Sequence, residues 1–270
     1  MIKNIFDIDN VGKRWGVRAL YFITVILNAA IYFNPFADTD FTALNSWIYN
    51  FMYESDTDVL DSLMTTIPIS QGNVVYIITM IIGDFILLTS AYIYAGVFVR
   101  NFRKEKIAAI KDPEVIDYAV ATLPDPPIKP SKLIGRILLL LLFSIVISAP
   151  LVMISSYLLF FTLIGLPFIF TAPVAFLSGD KGLFSSIPYS CRLSRKYYLI
   201  NMRGIAVVLL AAVLVDFAVP LLAKISLTAY YILDSAITTW LVLAFARLAG
   251  IAYCTMKDFP IKDPRRPFAI

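Results

Sequence analysis

Residues 134–177 read IGRILLLLLFSIVISAPLVMISSYLLFFTLIGLPFIFTAPVAFL, and Arg136 is the one charged side chain in the run. A helix needs about 20 apolar residues to cross the hydrocarbon layer of a bilayer, so this tract is too long for one crossing and suits two. Pro150 and the Ser155-Ser156 pair mark the place to turn. The reading is a tight helical hairpin with spans at 134–154 and 157–177, and it decides the fold class.

Four further stretches have the same length and character: 15–34, 74–99, 204–223 and 229–255. The expected architecture is all-α, a polytopic membrane helical bundle of six transmembrane helices forming a single domain over 1–270. Composition agrees, because 59% hydrophobic and 16% charged residues with a mean hydropathy of +0.78 lie outside the usual soluble range.

Charge placement gives the direction. Of the 23 Lys and Arg residues, 21 lie in four segments that precede the first span, separate the second from the third, separate the fourth from the fifth, and follow the sixth. The stretch from Asn34 to Asn73 has none and carries Asp38, Asp40, Glu54, Asp56, Asp58 and Asp61. Cationic loops stay inside, so both termini and the 100–133 and 178–203 loops are expected on the cytoplasmic face, and the 35–73 loop outside. Trp15, Tyr197, Tyr198, Tyr230 and Tyr231 fall near the borders, where aromatic rings favour the headgroup zone or pack between helices.

Several classes are excluded. Asp7 and Asp9 interrupt the amino-terminal basic region and no small-residue cleavage site follows, so the first span reads as an anchor and not a signal peptide. Cys191 and Cys254 fall on or near the reducing side, and no disulfide is expected. Histidine is absent, which removes the commonest general base and zinc ligand. No Gly-x-Ser-x-Gly, metal-ligand cluster or phosphate-binding glycine loop is present, so neither an enzyme nor a cofactor is expected. The basic residues border apolar runs instead of forming a patch on a soluble fold, so their counter-charge is the anionic headgroups of the bilayer, not nucleic acid.

In the outer loop Phe41, Leu44, Trp47, Ile48 and Phe51 recur at helical spacing, and predict an amphipathic helix lying on the leaflet or capping the bundle. The 100–132 segment ends in Leu-Pro-Asp-Pro-Pro-Ile-Lys-Pro, a stiff extended connector. The 178–203 stretch is the most distinctive. Ser-Gly-Asp-Lys-Gly breaks the fourth span, and the chain then alternates basic and apolar residues through Ser190 to Tyr198. This predicts an interfacial elbow in which Arg192, Arg195 and Lys196 contact lipid headgroups while Leu193 and Tyr197 dip into the acyl boundary.

These residues carry a resemblance. Gly165-x-Pro167, then Pro173, Gly179 and Gly182, then Ser190-x-x-Leu193 with Lys196 resemble the six-span membrane domain of bacterial glycerophosphodiester phosphodiesterases, and are similar to related uncharacterised integral membrane families. The likeness covers roughly 160–215. It departs at Pro188, which interrupts a helix expected there, and at Asp180, where that pattern often has Glu. No hydrolase barrel is attached, so the resemblance implies a fold and the plasma membrane of a bacterium or archaeon, with no catalytic residue carried over.

Asp84, Asp216, Asp234 and Arg247 fall well inside spans, away from the basic ends. Each costs about 2.5–3.5 kcal/mol at the centre of a helix on insertion scales. At 1.5 Å rise per residue, Asp84 and Asp216 lie about 22 and 18 Å from the cytoplasmic ends of their spans. One reading is an intramembrane polar site with Arg247 as counter-charge; the other is a set of packing contacts. Gly165, Pro167 and Pro173, with Pro150 and Pro220, are expected to kink or unwind helices and to leave a cavity beside span four. The functional expectation is a transporter or transport-accessory subunit. The alternative is a non-catalytic scaffold or assembly protein that meets a protein partner at its cytoplasmic face.

Overall fold

The computed structural model describes residues 5–8, 15–53, 67–110 and 128–257, and the side chains of all these except 105–110 and 148–163. Glu54, Asp56, Asp58 and Asp61, most of the proline-rich connector, the Pro150 and Ser155-Ser156 side chains and the basic tail beyond Lys257 lie outside the described residues. Among those described, every regular element is helical: α1 (Trp15–Tyr32), α2 (Thr42–Tyr53), α3 (Gln71–Ile110), α4 (Pro130–Ile169), α5 (Ala172–Leu177), α6 (Leu183–Ser194), α7 (Tyr198–Ala218) and α8 (Leu227–Lys257). Among the described residues, five stretches are long and apolar enough to cross a membrane: Trp15–Tyr32, Gln71–Lys104, Pro130–Ile147, Tyr198–Lys224 and Leu227–Lys257. A shorter apolar helical stretch covers Ile164–Leu177.

α8 is the central helix. Its most apolar window is 61% buried, against 11–17% for the other four long stretches, so α8 is wrapped by protein while they present broad faces outward. Its sequence explains this: Ala244, Ala246, Ala249, Gly250 and Ala252 let neighbours approach closely. A methyl group at Gly250 would sit 2.6 Å from Phe98 of α3, and Leu248 fills the notch at Gly204 of α7. α1 and α3 complete the bundle around α8, with Thr24 and Ser90 hydrogen-bonded at 2.6 Å across their seam.

The long tract around Pro150 behaves unexpectedly. α4 runs as one helix from Pro130 to Ile169, with Pro150 and Pro167 donating no N–H to its ladder, yet its ends converge. Arg136 Nη1 donates to the carbonyls of Phe176 and, at 3.0 Å, Lys181. A straight helix would hold Arg136 and Ile169 about 50 Å apart. Ile147 and Ile169 also line one cavity, so the tract folds back on itself between them. Pro130 opens α4 at a position where its missing N–H costs nothing.

Other breaks follow the prolines in part. α7 ends at Ala218 and tightens into a 3-10 turn, Val219–Lys224, around Pro220. Pro188, expected to interrupt a helix, lies inside α6 without ending it; it is on the exposed face of that helix, where the freed carbonyl is not sealed in protein. α2 forms as its apolar spacing predicts, with Trp47 stacked on Phe51 at 5.4 Å and Phe41 set edge-on to Tyr76 of α3. Ser70 and Asn73 cap α3 reciprocally, and Asn73 Nδ2 also donates to the carbonyls of Asp38 and Asp40, at 3.0 and 2.9 Å. The chain entering α2 is thereby fixed to the start of α3.

Candidate functional site at the basic end of the bundle

The loop Ser178-Gly179-Asp180-Lys181-Gly182 follows α5. Gly179 takes φ +92°, a conformation that L side chains rarely adopt, and the chain reverses sharply there. The reversal points the Asp180 carboxylate inward, where only 8% of the side chain remains exposed. Arg103, at the basic end of α3 and 1% exposed, meets it with both terminal nitrogens: Nη1 to Oδ1 at 3.2 Å and Nη2 to Oδ2 at 2.7 Å. Lys257 Nζ lies 2.8 Å from Oδ2, the Tyr253 hydroxyl donates to the same oxygen, and Ser178 Oγ lies 2.8 Å away. Tyr253 and Lys257 are four residues apart on α8 and therefore share a face.

One carboxylate thus joins the ends of α3 and α8 to the loop before α6. Arg136 adds α4 by donating to the Phe176 and Lys181 carbonyls and covering the Phe176 ring at 4.8 Å. Burial alone would raise the Asp180 pKa, but hydrogen bonds from Arg103, Lys257 and Tyr253, with the Arg103 charge, outweigh it. The carboxyl is held well below the ordinary carboxylate range. It is ionised at neutral pH and its oxygens are occupied by donors, which suits a structural clamp and not a general base.

The elbow itself is α6. Ser186, Ser190 and Ser194 form its buried stripe, and Ser190 Oγ lies 2.7 Å from Thr171 Oγ1 and from the Phe168 carbonyl. Arg192, Arg195 and Lys196 are exposed, as are Phe184 and Ile187. Tyr197 does not dip outward; it is 6% exposed and belongs to the core, while Leu193 is half-buried.

The four charges expected inside spans are dispersed. Asp84 and Asp216 are exposed on the lateral faces of α3 and α7. Asp234 accepts a hydrogen bond from Tyr32 at 3.2 Å. Arg247 donates to the Tyr94 hydroxyl at 3.2 Å and lies 5.3 Å over the Phe98 ring. No hydrogen bond or ion pair among the described residues joins Asp84 to Asp216 or to Arg247.

No family model, curated protein or solved structure matches this chain.

The cavity expected beside span four has a counterpart at this break. A space of about 510 Å³ is lined by Ala91, Leu166, Pro173, Ala212 and Phe245, and a second of about 330 Å³ by Phe143, Ile147, Ala172 and Leu183. The two share Leu88, Tyr92, Ile169 and Pro173. The clamp is what sequence reasoning missed, because Arg103 and Lys257 read only as markers of sidedness. One signal was present: Asp180 is the single acidic residue between Asp125 and Asp216.

Proposed function

We propose that this chain is a non-catalytic membrane scaffold whose basic end is a rigid platform for a protein partner. The observation that carries the reading is the convergence of Arg103, Tyr253 and Lys257 on Asp180, which locks three chain segments into one surface. A buried, fully occupied ion pair holds elements in register but gives no path to solutes. In this reading the chain crosses the bilayer six times and presents the clamp, the elbow and both termini to the cytoplasm of a bacterium or archaeon.

Solubilisation in mild detergent tests it. Recovery of one partner in fixed stoichiometry, lost on Asp180→Asn, supports the scaffold. A lone monodisperse species whose melting temperature rises with added solutes supports transport instead. The carrier reading has one observation in its favour, the hydrogen bond from Tyr32 to Asp234 toward the opposite end of the bundle. Against it, the cavities at mid-length are lined almost wholly by apolar side chains.

A further inference from the structure

The larger cavity sits at mid-length of the helices that line it: Leu88 to Ala95 in a stretch from Gln71 to Lys104, Val208 to Ala212 in Tyr198–Lys224, and Leu241 to Ala249 in Leu227–Lys257; the smaller shares Leu88 and Tyr92 with it. If those helices cross a bilayer, the cavities lie within its hydrocarbon layer, where water has no partners and lipid chains are the available filler. Their lips are apolar and exposed, with Ile169 at 44% and Leu209 at 39%, so they open sideways. The smaller cavity is walled by Leu183, Ser186 and Ile187 of the elbow, and therefore reaches the basic end of the bundle.

Exposed cations gather at that end. Lys181 precedes the elbow and holds its ammonium 4.8 Å over the Tyr189 ring, and Arg192, Arg195 and Lys196 are exposed along and beyond α6. None of these four forms an ion pair among the described residues. We infer that the paired cavities bind one anionic diacyl phospholipid of the surrounding bilayer, a tail in each, with its phosphate held by Lys181 at the start of the elbow. Two adjoining apolar spaces separated by Tyr92 and Pro173 fit a ligand with two chains. The exposed ammonium of Lys181 fits a headgroup with net negative charge.

The full chain, purified in mild detergent, is incubated with phosphatidylglycerol or with phosphatidylcholine of identical tails, and retained lipid is counted by native mass spectrometry. One phosphatidylglycerol is expected to be retained in preference to phosphatidylcholine. Lys181→Gln should lower that preference about fivefold, whereas Arg195→Gln, beyond the far end of α6, should leave it unchanged. Ala212→Leu, which fills the larger cavity from its half-exposed rim, should remove retention of both lipids while the melting temperature stays within a few degrees. Equal retention of the two lipids, or undiminished retention by well-folded Ala212→Leu, would overturn the assignment. So would displacement of the lipid by millimolar inorganic phosphate, since a free anion would then satisfy the site without tails.

Discussion

Arg103 and Asp180 form a two-pronged ion pair, Nη1 to Oδ1 at 3.2 Å and Nη2 to Oδ2 at 2.7 Å, with both side chains almost wholly enclosed. The flat guanidinium fork matches the carboxylate plane, an arrangement that a lysine at 103 would not reproduce. Removing Asp180 takes away the carboxylate that both Arg103 and Lys257 meet inside the protein. Asp180→Ala is therefore expected to cost about 3–5 kcal/mol, measured as a loss of unfolding free energy in detergent. In a double-mutant cycle, Arg103→Ala added to Asp180→Ala should cost much less than the two single losses summed.

The same pair sets an acid limit. The folded pKa of Asp180 lies below its unfolded value of about 4, so its contribution is complete above that value and is lost as pH falls through the folded pKa. The melting temperature should carry no Asp180 dependence between pH 7 and about 5 and should fall below about 4. Asp180→Asn should lower the plateau and flatten the acid limb, a difference read directly from paired melting curves.

Close helix approach at glycines gives a graded test. Gly250→Leu would drive atoms into the Phe98 ring and Gly204→Leu into Leu248, each costing about 1–3 kcal/mol by overpacking. Gly16→Ala meets nothing within 4 Å and lies in α1, so it should be neutral or stabilising by up to about 1 kcal/mol. Thermal unfolding of the three variants should rank them in that order.

Asp84 is exposed on the lateral face of α3, and no hydrogen bond or ion pair of its own is present among the described contacts. Asp84→Asn should leave yield and unfolding free energy within about 0.5 kcal/mol of the parent. A collapse in either would mean that Asp84 holds the bundle together.

What the sequence revealed and what it hid divide along the range of the interactions. Spans are set by local hydropathy, so the runs at 15–34, 74–99, 204–223 and 229–255 match helices, and the apolar spacing from Phe41 to Phe51 matches α2. Pro188 was misread because a proline's effect depends on which face of the helix it occupies, and here that face is open. The clamp was hidden because Asp180 meets residues 77 positions before it and 73 after it, and nothing in local composition links them. Tyr197 looked like a border aromatic, and only packing shows that it is core.

Sidedness is the most direct test of the whole account, since the platform, the elbow and the lipid rim must all face one compartment. In a background with Cys191→Ser and Cys254→Ser, single cysteines are placed at Ser46 in α2 and at Lys196 after the elbow, both exposed. Sealed vesicles are then labelled with a membrane-impermeant maleimide. The account predicts that the two positions react from opposite sides of the bilayer; reaction of both from the same side would contradict it.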